Sequence, residues 1–324
     1  MKRLLLLPIL LIALLFSSCA AGEVGDTRFM LDTWVSIKIY GTSDERLLDE
    51  AFQLCRDYEN KLSRTIAVSE ISRLNKEGSL ELSYDTAELI AAAIEYSDIS
   101  GGAFDISIAP VSTLWEFGES ERMPTKDELL AALPFVGYKG ISIDGNTVTL
   151  GEGMSVELGG IAKGYIADRI SDFLKENGVK NALIDLGGNI YAVGSRPSGG
   201  EWRIAIRQPF KNRDEGMGVL RVRDKSIVTS GVYERFFERD GELYHHLIDP
   251  KTGMPAANGV QSVTVVSDKS VDGDALSTAF FVLGAEKGLA LAESIEGVEA
   301  LFILDDGSIV KSSGIGTEIP FELM

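Results

Sequence analysis

The chain has 324 residues, 45% of them apolar, enough for one large hydrophobic core or two closely packed lobes. Its 49 acidic side chains outnumber 31 basic ones, for a formal net charge of −18. So acidic a surface repels nucleic acid and offers no basic patch to anionic lipid headgroups. An anionic ligand would need local help from a metal ion or from backbone N–H groups.

The chain opens with Lys2 and Arg3, followed by an apolar run from Leu4 to Phe16 broken only by Pro8. The run is too short to span a bilayer, which takes about 20 residues. With Ser17, Ser18 and Cys19 behind it, the segment reads as an export signal. "LLFSSC" resembles the lipobox of bacterial lipoproteins, in which the cysteine is lipidated and becomes the new N-terminus. The expected organisation is a signal peptide over 1–18, a flexible tether over 19–27 and a folded domain over 28–324. Cys19 would anchor the protein to a membrane, facing the periplasm or the cell exterior. The other cysteine, Cys55, then has no disulfide partner. It sits in a helical pattern as a small buried residue.

After the tether, "RFMLDTWVSIKIYG" alternates as one strand or two. Apolar positions from Leu47 to Leu62 are spaced for a helix over 43–62, with Ser43 as N-cap. "TAELIAAAIEYSDIS" predicts a second helix, stopped by Gly101 and Gly102. "TKDELLAALP" predicts a short third, capped by Thr125 and ended by Pro134. "GISIDGNTVTL" is a hairpin built on an Asp-Gly-Asn turn. "GIAKGYIADRISDFLKENG" is a helix that opens at a glycine pair and closes at Gly178. Strands dominate from "NALIDLGGNIYAVG" to "GVQSVTVVS". "SVDGDALSTAFFVLGAEKGLALAES" reads as helix, break, helix, and "VEALFILDDGSIVKSS" as a closing hairpin. Helices and strands intermix without regular alternation, which predicts an α+β fold.

Four stretches carry candidate chemistry. In "VELGGIAKGYIAD" a glycine pair leads into a helix with Lys163 in its first turn. Backbone N–H groups at a helix start, joined by a lysine, attract phosphate. The glycine spacing is not that of a Walker loop. In "LIDLGGNIYAVG" a strand ends at Asp185 and two glycines expose backbone, for a ligand or simply for a bulge. In "SVDGDALSTAFFVLG", Asp274 and Thr278 are four apart and share a helix face. A carboxylate and a hydroxyl suit a hard ion such as Mg²⁺, although an Asp near a helix start is equally a cap. "YHHLIDPKTGMP" holds the chain's only two histidines, His245 and His246. Histidine is the side chain best tuned to take a proton near neutral pH. No Cys/His set suggests zinc, and no Gly-x-Ser-x-Gly elbow suggests a serine hydrolase.

Taken in order, "GGAFDIS", "ELGGIAKGYIAD", "LIDLGGNIYAVG", "VTSGVYERFF", "HHLIDPKTG" and "DALSTAFFVLG" resemble the ApbE family of bacterial FAD:protein FMN transferases. The resemblance runs from about "WVSIKIYG" to "VEALFILDDG". It implies an α+β, T-fold-like arrangement of mixed sheets and packed helices, in two intimate lobes with the flavin site between them. It implies a reaction in which FMN passes from FAD to a threonine hydroxyl of a target protein and AMP leaves. The resemblance places Mg²⁺ on Asp274, Thr278 and the main chain of Gly160. It makes His246 the general base and leaves His245 to packing. It puts FAD against Phe104, Asp105, Lys163, Asp185, Thr229, Ser230 and Gly231. At Lys163 this chain departs from the glutamate of other members, and Arg207 either nears the ligand or braces the sheet. Implied partners are FAD and redox subunits bearing a flavinylation threonine, as in Na⁺-pumping NADH:quinone reductase and Rnf-type complexes.

Two other readings share these motifs. One is an Mg²⁺-dependent pyrophosphatase that splits FAD into FMN and AMP, with water replacing the threonine. The other is a flavin-binding lipoprotein without turnover. AMP release in the absence of an acceptor marks the first, and indifference to metal marks the second.

Overall fold

The structure, a computed structural model, describes residues 22–118, 120–211 and 215–324. The signal segment and Cys19 lie outside the described residues. In chain order the elements are β1 (Glu23–Met30), β2 (Thr33–Tyr40), α1 (Glu45–Leu62), α2 (Glu70–Glu77), β3 (Ser79–Glu81) and α3 (Tyr84–Ile99). There follow α4 (Ala109–Ser112), α5 (Lys126–Ala132), β4 (Ile141–Asp144), β5 (Thr147–Leu150) and α6 (Ala162–Glu176). Then come β6 (Asn181–Leu186), β7 (Asn189–Val193), β8 (Trp202–Arg207), β9 (Gly216–Val222) and β10 (Lys225–Gly231). The chain closes with β11 (Phe236–Arg239), β12 (Glu242–His245), β13 (Val260–Ser267), α7 (Ser270–Ala292), β14 (Glu299–Leu304), β15 (Ile309–Lys311) and β16 (Phe321–Leu323).

Eight strands make one antiparallel sheet in the order β1-β2-β6-β7-β10-β13-β14-β15. Strand alternation divides its side chains between two faces. Ile37, Ile39, Ile184, Leu186, Val263 and Val265 join the main core with α1, α6 and α7. Ala192, Ile227, Val266 and Leu301 join a second cluster with Trp202, Ile204 and Leu220, from the small sheet β8-β9-β16. Apolar layers on both faces explain why the strands read as nearly continuous apolar runs. The main core continues into Val148 and Leu150 of β5, so the small sheet β3-β5-β4 shares it. The α+β expectation holds, and the expected lobes share one apolar core.

Local signals account for most element ends. Thr125 and Glu128 form a reciprocal capping box on α5. Gly145 takes φ 58° in the turn between β4 and β5. α7 is interrupted at Gly284, with φ 79° and ψ 169°. At 23 residues α7 is long and apolar enough to cross a bilayer, but Ala275, Leu276, Phe280 and Phe281 lie in the core. Two expectations need correction. The N-cap of α1 is Asp44, whose carboxylate accepts from Arg46 N, not Ser43. The tether expected over 19–27 is a strand from Glu23 onward, with Glu23 opposite Tyr40. An edge strand draws on backbone hydrogen bonds and needs no apolar alternation, so its polar, glycine-bearing sequence reads as loose chain.

The contact between α6 and α7 sets the site. Neither helix has a local side-chain cap. Each receives a carboxylate from the other. Asp168 of α6 accepts from Ser270 N at 2.7 Å and Val271 N at 2.9 Å, at the start of α7. Asp274 of α7 accepts from Gly164 N at 2.8 Å, at the start of α6. The helices approach this closely because residue 164 is glycine: a Cβ there would stand 2.3 Å from the Ser270 carbonyl oxygen. Gly164→Ala is therefore expected to lower unfolding free energy by about 1–3 kcal/mol, the usual scale of an overpacked core. Urea denaturation measures it, and an unchanged midpoint would mean that the two helices separate freely.

Candidate active site

Asp274 sits in the first turns of α7, buried to 5% exposure. Burial pushes its carboxyl pKa up, while the Lys163 ammonium, the N–H groups of Gly164 and Lys163, and the Asn189 side chain pull it back. At the start of α6 the Gly164 amide donates to Asp274, so this helix start is already engaged by the protein. Thr278 lies one turn on. Its Oγ1 is 3.5 Å from Ser230 Oγ, and Ser230 Oγ is 2.9 Å from Ser277 Oγ. Gly160 lies against them. A Cβ at that position would stand 3.5 Å from Thr278 Oγ1 and 3.2 Å from the Phe104 ring. The oxygens gathered here are one carboxylate, hydroxyls and main chain. Among the described residues no group of three or more His, Cys, Asp or Glu gathers as a metal cage. A mostly neutral oxygen set with a single carboxylate fits Mg²⁺, which keeps several waters and takes few protein carboxylates.

The histidine turn arrives from the other side. β11 and β12 pair with Phe236 opposite His245 and Phe237 opposite Tyr244. Phe237, Tyr244, Trp115 and Phe117 stack with centroids 5.3–5.9 Å apart, which fastens the hairpin to the segment after α4. Trp115 Nε1 donates to the Gly253 carbonyl at 2.9 Å. Asp249 closes the turn: its carbonyl accepts from Gly253 N at 2.8 Å and its carboxylate from Lys251 N at 2.9 Å. His245 is buried, with its ring edge-on to Phe281 of α7 at 5.4 Å. His246 is partly open to solvent, and its Nδ1 lies 3.3 Å from the Arg235 carbonyl. A carbonyl only accepts, so Nδ1 carries the proton and Nε2 keeps its lone pair. Packing around the ring, aided by the cations Arg235 and Lys163 and by His245, pulls the His246 pKa below its usual value. His245 packs on Phe281, three residues beyond Thr278 on α7, so the histidine turn and the helix that carries Asp274 and Thr278 are in direct contact.

The other candidates spread around this centre. Phe104 is buried against Gly160. Asp105 is engaged by the protein itself: its carboxylate accepts from Ser107 N, Ser107 Oγ and Tyr138 N. It also lines an open cleft of about 420 Å³ with Gly102, Tyr138, Lys139, Pro250 and Lys251. That volume is in the range of small-molecule sites. Ser230 reaches the oxygen set, but Thr229 points to the opposite face of the sheet, with Oγ1 2.8 Å from Thr264 Oγ1. By the same alternation Asp185 faces away from the main core. Its Oδ1 accepts from Gly188 N at 2.9 Å and shapes the glycine turn. Gly231 makes room for the Tyr233 ring, which a Cβ would meet at 2.7 Å. Arg207 braces the sheet by lying over Tyr233 and pairing with Glu234. Sequence reasoning did not single out Asp168 or Asn189 as site residues. Both stand inside quoted motifs, but their partners are about a hundred residues away for Asp168 and 81 away for Asn189.

Fold and site together define an α+β protein whose candidate ligand site lies where the starts of two helices meet a histidine turn. Comparisons with known proteins identify the group it belongs to. The model of the ApbE family matches residues 31–302. The chain is 40% identical to the FAD:protein FMN transferase of Treponema pallidum (strain Nichols), over 90% of this chain and 88% of that one. It is 36% identical to the enzyme of the same description from Klebsiella pneumoniae (strain 342), over 86% and 88%. The crystal structure of the ApbE protein from Thermotoga maritima superposes with a TM-score of 0.83 at 30% identity, covering 90% of this chain and 97% of that one. The flavinyl transferase ApbE of Pseudomonas stutzeri, in apo form, gives 0.81 at 31%, covering 91% and 96%. The chain belongs to the ApbE family.

The buried histidine has a consequence for stability. Burial pushes His245 from 6.5 down to about 4, so the native state stays neutral while the unfolded chain takes up a proton. Stability is therefore lost as pH falls from 6.5 towards 4. His245→Gln is expected to flatten this loss, read as unfolding free energy at pH 7 and pH 4.5. An equal drop in the variant and the native chain would place the acid sensitivity elsewhere.

Proposed function

We propose that this protein transfers FMN from FAD to a threonine hydroxyl of a target protein, releasing AMP with the help of Mg²⁺. The observation that carries the reading is the pairing at the site. A histidine whose Nδ1 is tied to the Arg235 carbonyl follows His245, which packs on the helix that carries the oxygens suited to Mg²⁺. The relatives described as FAD:protein FMN transferases support the flavin and the acceptor protein. Nqr- and Rnf-type redox subunits carrying a flavinylation threonine are the acceptors that the family resemblance suggests.

In this reading Asp274, Thr278 and the Gly160 carbonyl hold the metal, which when bound offsets charge on the diphosphate and orients it. Lys163 adds a full positive charge beside the phosphates. The His246 Nε2 takes the proton of the threonine hydroxyl as that oxygen bonds to the phosphorus on the flavin side. The bridging P–O bond breaks and AMP departs with the bridging oxygen. The tie from Nδ1 to the Arg235 carbonyl fixes the ring and its tautomer. Phe104 and the cleft lined by Tyr138, Lys139 and Pro250 offer FAD an apolar wall and a basic rim. Location follows from the N-terminal pattern: Cys19, lipidated, would anchor the enzyme to a membrane, facing the periplasm or the cell exterior.

The direct test incubates the full chain with FAD and Mg²⁺, with and without a small acceptor domain carrying the threonine. Intact mass and AMP are then measured. An acceptor heavier by one FMN, with AMP released only in its presence, supports the transferase. AMP without any acceptor supports the pyrophosphatase instead, and bound FAD without either product supports a binding protein.

Two variants and a pH profile locate the chemistry. His246→Ala is expected to slow transfer by about 10²-fold or more, the scale of a lost general base. Asp274→Ala is expected to abolish it. Full activity in either variant removes that residue from the mechanism. The depressed pKa of His246 keeps the imidazole neutral in the free enzyme. The acid limb of kcat/KM, which reports the free enzyme, should therefore fall well below pH 6.5. An acid limb at 6.5 or above would mean that another group is being titrated.

A further inference from the structure

Behind Asp274 lies a buried polar chain to which none of the motifs assigns a role. Asn189, the first residue of β7, is 1% exposed. Its Oδ1 accepts from Ser270 Oγ at 2.6 Å. Ser270 Oγ in turn accepts from Ser226 Oγ at 2.8 Å, and both serines are fully buried. The asparagine is thus held from the rear by two sheet strands and the first residue of α7. Its Nδ2 is buried and has no partner within hydrogen-bond distance in the protein. A buried amide donor left short of a partner costs about 1–3 kcal/mol, so such atoms are kept where something uses them. Asp274 follows Ser270 by four residues on the same face of α7, so its carboxylate is the acceptor that stands next to an amide already held by Ser270. The turn before it is made for the purpose: Gly187 and Gly188 take φ 72° and 96°, and Asp185 pins the Gly188 amide.

We propose that Asn189 is a positioning residue: its amide, locked by Ser270 and Ser226, holds the Asp274 carboxylate in register with Thr278 for a divalent cation. The inference rests on the proposed metal role of Asp274. At 1% exposure Asn189 is closed off from a ligand in the open site. It acts on Asp274 from behind, as outer partners of metal-binding side chains do, and their loss weakens metal binding by about 10–100-fold.

The test titrates Mn²⁺ into the full chain, followed by electron paramagnetic resonance, with FAD affinity measured separately by flavin fluorescence without metal. Asn189→Ala is expected to bind Mn²⁺ about 10–100-fold more weakly. FAD affinity should stay within about two-fold, and excess Mg²⁺ should restore turnover, because the defect is one of metal occupancy. Unchanged Mn²⁺ affinity in the folded variant overturns the proposal, as does a parallel loss of FAD binding. If Asn189→Ala does not fold, Ser270→Ala decides. It removes the brace at Oδ1 and the Ser226 contact behind it while keeping the amide, and a loss of Mn²⁺ affinity is expected where an unaltered value rejects the proposal. A native chain that binds no Mn²⁺ would sink the metal reading itself, a result distinct from a native chain that binds and a variant that binds equally well.

Discussion

The structure depends on two carboxylates exchanged between two helices. A helix start carries unsatisfied N–H groups and the positive end of the peptide dipoles, and a buried start needs partners for both. α6 and α7 meet start to start inside the protein, where water cannot supply those partners. Asp168 satisfies one helix and Asp274 the other. A buried carboxylate is itself costly unless it is hydrogen-bonded, and here each cost offsets the other. The balance is incomplete. Burial still pushes Asp168 up to about 6 and raises Asp274 as well. The core between sheet and helices therefore holds two acids whose charge is only partly compensated, and Lys163 is the cation drawn to Asp274.

That exchange decides how the site can treat an anion. The protein as a whole is strongly acidic, so its surface does not attract a diphosphate. A helix start is the usual uncharged remedy, and the glycine pair ahead of α6 looks like one. Asp274 occupies it. What is left beside the oxygen set for an anionic ligand is Lys163, with Lys139 and Lys251 on the cleft rim, and whatever cation the oxygens hold. A divalent metal then has two tasks under the proposed function: it answers the incompletely compensated Asp274 and it offsets the phosphates. This constraint makes the metal more than an accessory in that reading. Without it, Asp274 would repel the very group the enzyme has to cleave.

Much of this was legible in the sequence. Alternation and turn chemistry located most of the strands, and the helix break at Gly284 showed in the spacing of "FVLGAEKG". Local caps were readable too, as with Thr125 and Glu128. The helix α2 went unremarked, and the start of β1 was taken for tether, because neither carries a strong apolar period. The reciprocal caps were not legible, for a physical reason: Asp168 and Asp274 satisfy amides about a hundred residues away in sequence, so no local pattern betrays them. An acid near the start of α7 looked like a cap of its own helix, yet its oxygen serves the other. Thr229 and Ser230 show the same limit in a strand. They are adjacent in sequence, but the pleat sends one to each face, and only Ser230 reaches Thr278.

The two histidines follow from this frame. Neighbouring side chains in an extended segment diverge, so one imidazole can be buried while the other is presented. His245 goes inward against Phe281, three residues beyond Thr278 on α7. Through that contact the helix that carries Asp274 and Thr278 also sets the depth of the histidine turn. Stacked aromatics hold the turn from the outside, and the Arg235 carbonyl fixes the His246 ring. The histidine turn and the oxygens of α7 are thereby referred to the same rigid element. In the proposed reaction, proton transfer tolerates little error in distance, and seating the histidine turn against the helix that carries Asp274 and Thr278 limits that error.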